Sequence, residues 1–226
     1  MRIIIVFLLL ITSCSPIKKY KETATKWEKD IIKLENLDKS KKPNKDAILF
    51  IGSSSIRLWR SIKKDLAPYE SIKRAYGGAR YTDLIHFTER LVSPHEVKAV
   101  GIFVANDITG GKNDLKPREV LHLSKLVVEQ IQKSHKNSPI FFIETTPTPK
   151  RWKVWDKISN ANDLIKKYCE SKTNLFYIST RDYFIGENKL PMEDYFIRDK
   201  LHLNSKGYLI WSDIIKDNLK NIVGSN

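Results

Sequence analysis

The chain has 226 residues, with 40 Lys and Arg against 26 Asp and Glu, for a formal net charge of +14. The excess is mostly Lys dispersed over the whole length without interleaved aromatics, which argues against a nucleic-acid groove and for a solvated basic surface that also suits anionic lipid. No Cys/His spacing points to a zinc site, and no metal or cofactor motif stands out.

In chain order, Arg2 is followed by an apolar run, Ile3 to Ile11, and then by Thr12, Ser13 and Cys14. A positive start, an apolar stretch too short to span a bilayer and small residues before a cut site describe a secretory signal over residues 1–13. The ending Ile-Thr-Ser-Cys resembles the lipobox of bacterial lipoproteins. That resemblance implies lipidation of Cys14 and an exported protein held to a bacterial membrane, on its periplasmic or surface face. Cys169 is then the only thiol left, with no disulfide framework, and its helical surroundings make it a small buried apolar residue. Residues 14–45 read as the lipidated Cys and a Lys-rich tether, in which the spacing of Trp27, Ile31, Ile32 and Leu34 predicts one short docked helix.

Residues 46–226 are long enough for one domain with a sizeable core. Apolar, β-branched or aromatic runs at 47–51, 71–76, 97–104, 140–144 and 175–178 predict five strands. Amphipathic stretches at 56–66, 81–91, 117–133, 156–170 and 205–222 predict the helices between and after them. Such alternation builds an α/β domain with a parallel sheet between two helical layers, and ligands bind beyond the carboxyl ends of its strands.

The residues just past each strand are therefore the informative ones. After the first come Gly52 and three serines, Ser53, Ser54 and Ser55, where unpaired helix N–H groups can support an oxyanion or where a serine simply caps the helix. After the second, Gly77 and Gly78 form a tight turn or bring backbone N–H close to a ligand. After the third, Asn106 stands in an Asn-Asp turn with a side-chain N–H to offer. After the fifth, a long connection leads to Asp199 and His202, whose spacing of three lets the carboxylate meet the ring within one turn or leaves a local cap beside a surface His. The segment from Thr145 through Lys150, Arg151 and Trp152 edges the same rim. Arg80 and Trp152 are its candidate substrate contacts, against plain packing or exposed charge. His86, His95, His122 and His135 have no partner at a meaningful spacing and default to surface or satisfied core positions.

Four segments occur in the order of the four SGNH blocks: FIGSSSIRLW, YGGAR, VANDI and RDKLHLN. The chain resembles the SGNH/GDSL hydrolase superfamily over residues 46–222. The resemblance implies a three-layer α/β/α flavodoxin-like sandwich with a five-stranded parallel sheet. By position it matches Ser54 to the nucleophile, with Ser53 where GDSL has Asp. It matches His202 to the general base and Asp199 to its orienting acid. The N–H groups of Ser54 and Gly78 and the Asn106 side chain match the oxyanion hole, while Val104 stands where the third block usually has glycine.

The expected activity is metal-free, cofactor-free ester hydrolysis by a serine acylhydrolase. Short acyl groups such as acetyl on a glycan are the expected substrate, since no long apolar lid segment is visible and the rim holds Trp, Arg and Thr. A lysophospholipase-like lipid esterase is the alternative that membrane anchoring favours. A non-catalytic lipoprotein binding glycan or anionic polymer is the other.

Overall fold

A computed structural model describes residues 16–39 and 44–224. The signal 1–13 and Cys14 therefore lie outside the described residues. Five strands, β1 (Ile48–Gly52), β2 (Ser71–Ala75), β3 (Ala99–Phe103), β4 (Ile140–Ile143) and β5 (Leu175–Ile178), form one parallel sheet in the order β2-β1-β3-β4-β5. The helices are α1 (Pro16–Thr25), α2 (Glu28–Asn36), α3 (Ser54–Leu58), α4 (Ile62–Asp65), α5 (Tyr81–Val92), α6 (Pro117–Ser134), α7 (Trp155–Glu170) and α8 (Ser205–Val223).

Burial follows the strand period of two. In β1, Leu49 and Ile51 join one core with α5, α6 and α7, while Ile48 and Phe50 join the other with α3, α4 and α8. Both sheet faces are thus covered, as an all-parallel sheet requires. The chain leaves β1 in one direction along the sheet and β3 in the other, so the switch point opens between their carboxyl ends.

Two differences from the sequence expectation have physical causes. The predicted helix 56–66 is two helices, α3 and α4, because the Lys73 ammonium on β2 donates to the carbonyls of Arg57 and Trp59 at 2.9 and 3.0 Å and terminates α3. The tether reading of residues 14–45 is corrected for residues 16–38, where two helices dock on the domain. Ala24 and Ile31 are buried in the core beside Trp27 and Leu34. Arg90 of α5 binds Glu28 and Glu35 at 2.7 to 2.9 Å, Lys19 and Tyr20 bind Glu119 of α6, and the buried Arg74 of β2 pairs with Asp38. Among the described residues no helix is long and apolar enough to cross a membrane.

Candidate active site

Gly52 sets the geometry. Its φ is +123°, and a Cβ there would lie 1.9 Å from the Phe103 carbonyl oxygen, so only glycine lets β1 turn away this close to β3. The three serines that come next separate by environment. Ser53 stands at the N-cap of α3, buried, and its hydroxyl makes no capping bond. Ser55 is also buried, and its carbonyl accepts from the Tyr208 hydroxyl at 2.8 Å. Ser54 alone meets a histidine: its Oγ lies 2.9 Å from His202 Nε2.

His202 is presented by a short antiparallel hairpin in which Phe196 pairs with Leu203. Ile197 N–H donates to the His202 carbonyl at 2.8 Å and Lys200 turns the chain at φ 58°. Within that turn Asp199 Oδ1 accepts the N–H groups of Leu201 and His202, both at 2.9 Å, and Oδ2 lies 2.6 Å from His202 Nδ1. Burial alone would raise the Asp199 pKa, but these hydrogen bonds outweigh it and hold the carboxyl below its usual value. An ionised carboxylate only accepts, so Nδ1 carries the ring proton and Nε2 faces the Ser54 hydroxyl as an acceptor. The connection from β5 to α8 that carries the hairpin is held at both ends. Asn204 caps α8 through Gly207 N–H at 3.1 Å, and buried Glu144 at the end of β4 accepts Thr180 and Arg181 N–H, both at 2.7 Å, where the connection leaves β5.

The loops after β2 and β3 are braced together. Asn106 Nδ2 donates to the Ala79 carbonyl at 3.0 Å, beside Gly78. Tyr81 N–H donates to both oxygens of Asp107 at 3.1 Å, a carboxyl that burial pushes up to about 7 against that bond and the nearby Arg80 charge. Gly78 has φ +72°, and a Cβ there would meet the Trp27 ring at 3.2 Å. The Trp27 indole N–H donates to Asp83 Oδ2 at 3.1 Å, which also accepts Arg80 N–H at 3.3 Å, so α2's entry packs directly against this glycine turn.

A cavity of about 20 Å³ lies against Ser54, Asn106 and His202, walled by Phe103, Phe196 and Trp211. On this measure one water takes roughly 10–15 Å³, so the cavity holds a group of only a few atoms. Val104 does not line it; its side chain faces the opposite core, beside a second small cavity with Ile108 and Ile158. Arg80 and Trp152, the expected substrate contacts, do not line it either. The Arg80 guanidinium donates to the Asp107 and Asn113 carbonyls and braces the loops, and Trp152 stacks on Trp155 at 5.9 Å. Arg151 and Thr148 do line it, as the rim position of the segment after β4 leads one to expect, although neither was singled out as a contact. Elsewhere Cys169 is buried, with its thiol pushed up to about 12 by desolvation, and His135 is a satisfied core residue, its Nε2 2.7 Å from the His95 carbonyl. Among the described residues no three His, Cys, Asp or Glu side chains gather as metal ligands.

No protein-family model and no curated protein matches the sequence. Solved structures do match. A Streptococcus pneumoniae protein described provisionally as a platelet activating factor is 19% identical at a TM-score of 0.74, over 90% of this chain and 97% of its own. A GDSL-like lipase from Bacteroides thetaiotaomicron is 16% identical at 0.71, over 85% of this chain and 98% of its own. A carbohydrate esterase family 3 protein from Talaromyces cellulolyticus is 13% identical at 0.61, over 78% of this chain and 98% of its own. The chain therefore has the α/β fold of these proteins, and the fold implied by the four sequence blocks is the fold observed.

Proposed function

We propose that the protein is a serine ester hydrolase. The observation that carries this reading is the chain Ser54 Oγ, His202 and Asp199, at 2.9 and 2.6 Å, at the mouth of a small cavity. In the proposed reaction Ser54 Oγ attacks an ester carbonyl as His202 Nε2 takes its proton, and Asp199 stabilises the imidazolium. The oxyanion is held by the N–H groups of Ser54 and Gly78 and by Asn106 Nδ2. His202 then protonates the departing alkoxide, leaving an acyl group on Ser54. Water, deprotonated by the same nitrogen, attacks that acyl group; the acid leaves and Ser54 regains its proton.

Short acyl groups, acetyl above all, are the substrates the cavity size favours, and an acetylated glycan is the proposed bearer. The likeness in fold to a carbohydrate esterase supports that choice. A lipid ester is the second reading, favoured by the neighbouring cavity lined by Val104, Ile108 and Ile158, which would have to open for a longer chain. We also propose that Cys14 carries a lipid anchor; metabolic labelling with radioactive palmitate is expected to be lost in Cys14→Ser, and retained labelling would refute it. A p-nitrophenyl ester series from acetate to decanoate decides the acyl length. Peak kcat/KM at acetate, with acetate release from an acetylated glycan, is the expected result. A maximum at the long esters would overturn the short-acyl reading in favour of lipid.

A further inference from the structure

Arg151 sits on the 3₁₀ turn Pro149–Val154 after β4 and lines the Ser54 cavity. Its Nη2 donates to Asn106 Oδ1 at 2.6 Å and its Nη1 donates to the Ala105 carbonyl. Lys150 N–H, one residue earlier, donates to the Lys200 carbonyl at 3.0 Å, which ties this turn to the hairpin carrying His202. The guanidinium is half-buried, and desolvation draws its pKa below the usual arginine value. Among the described residues it forms no ion pair; Asp114 and Asp107 act on it only through space. A cation drawn partly out of water without a paired carboxylate is costly, and its position beside the serine asks for a reason.

The donor inventory supplies one. A guanidinium has N–H donors and no acceptor, so the Asn106 atom facing it has to be the amide oxygen. The amide nitrogen is thereby turned the other way, where one N–H goes to the Ala79 carbonyl and the second remains to be used. A flipped amide has almost the same shape but would aim an oxygen at the developing negative charge.

We propose that Arg151 is a positioning residue for the oxyanion hole: it locks the Asn106 amide with its remaining N–H toward the reacting carbonyl. This inference rests on the serine hydrolase reading. The alternative use of the charge, gripping an anionic substituent on the substrate, would have to compete with the bonds that both terminal nitrogens already make, to Asn106 Oδ1 and to the Ala105 carbonyl. The oxyanion exists in the transition state and not in the bound ester, so the contribution falls on kcat and leaves KM nearly unchanged.

The test is a double-mutant cycle on the purified full chain with p-nitrophenyl acetate. It compares wild type, Arg151→Met, Arg151→Lys, Asn106→Ala, the Arg151→Met/Asn106→Ala pair and Ser54→Ala, with thermal unfolding of each. Arg151→Met is expected to lower kcat by roughly 10–10² with KM little changed, a share of what one oxyanion donor contributes. Arg151→Lys, which can still donate to Oδ1 but lacks the fork, is expected to retain part of the rate. In the Asn106→Ala background, Arg151→Met should cost almost nothing more, because no amide is left to orient. Losses that multiply in the double variant, an unchanged kcat, or an effect on KM alone would overturn the proposal. Should Arg151→Met unfold, the cycle is run with Arg151→Lys, and the same outcomes support or overturn the proposal. Retained activity in Ser54→Ala would instead overturn the hydrolase reading, whereas an inactive Ser54→Ala with a multiplicative cycle removes only the role of Arg151.

Discussion

Replacing Asp199 by Asn changes one atom and should disable the base without disturbing the fold. The two Asp199 oxygens have unequal partners. Oδ1 accepts two backbone N–H groups, from Leu201 and His202 at 2.9 Å, and Oδ2 faces His202 Nδ1 at 2.6 Å. Backbone N–H can only donate, so the single amide oxygen of Asn has to take the Oδ1 place, and its NH2 then faces Nδ1. Nδ1 becomes an acceptor, the ring proton moves to Nε2, and the nitrogen 2.9 Å from Ser54 Oγ can no longer take the hydroxyl proton. A wrong tautomer in this arrangement is expected to cost about 10⁴ in kcat, or about 5.4 kcal/mol of barrier. The melting temperature should barely move, since both backbone bonds survive. Steady-state hydrolysis of p-nitrophenyl acetate, with circular dichroism on the same samples, reads both quantities. A kcat within about tenfold of wild type would refute the reasoning, because it would mean that His202 does not depend on Asp199 for its tautomer.

Two further outcomes test the surroundings. Trp27→Ala removes the indole packed against Gly78 and the donor to buried Asp83, and should lower stability by about 2–4 kcal/mol in urea unfolding; a change under about 0.5 kcal/mol would mean that the N-terminal helices are not docked as described. For Asp107, burial lifts the folded pKa to about 7 against an unfolded value of roughly 3.9, so the protonated folded form contributes stability that is present below the unfolded value and lost as pH rises toward 7. Asp107→Asn should therefore gain on wild type by about 3 kcal/mol between pH 5 and pH 8, at about 1.4 kcal/mol per pH unit, and parallel stability curves would contradict the assignment.

Much of the fold was legible because its signals are local. Apolar runs ending in Gly, Ser or Asn mark strands that deliver residues to one rim, and five such runs alternating with amphipathic helices leave few other architectures. The reading of three candidate serines narrowed to Ser54 only through the order of four short blocks, and the structure gives it a physical basis in the two flanking serines, which sit in buried surroundings. The docking of residues 16–38 was only partly legible, since a helix such as α1 offers Tyr20 and Ala24 and little else apolar. What holds it are pairs such as Lys19 with Glu119 and Glu35 with Arg90, separated too widely in sequence for spacing to reveal. The place of Arg151 on the rim was legible, but its role was not, for the same reason: that role lies in the Asn106 oxygen it faces, 45 positions away. Arg80 was read as a substrate contact because it comes just after the glycine turn; in the structure its Nη2 donates to two backbone carbonyls of the next loop.

The central claim is that Ser54 is a nucleophile activated by His202. Labelling the purified protein with a fluorophosphonate probe tests it most directly, because the probe forms a covalent bond only with an activated hydroxyl. The expected result is labelling of wild type that disappears in Ser54→Ala and persists in Ser53→Ala and Ser55→Ala. Labelling that survives Ser54→Ala, or a wild-type protein that does not label and instead binds anionic polymer in a salt-sensitive manner, would contradict it.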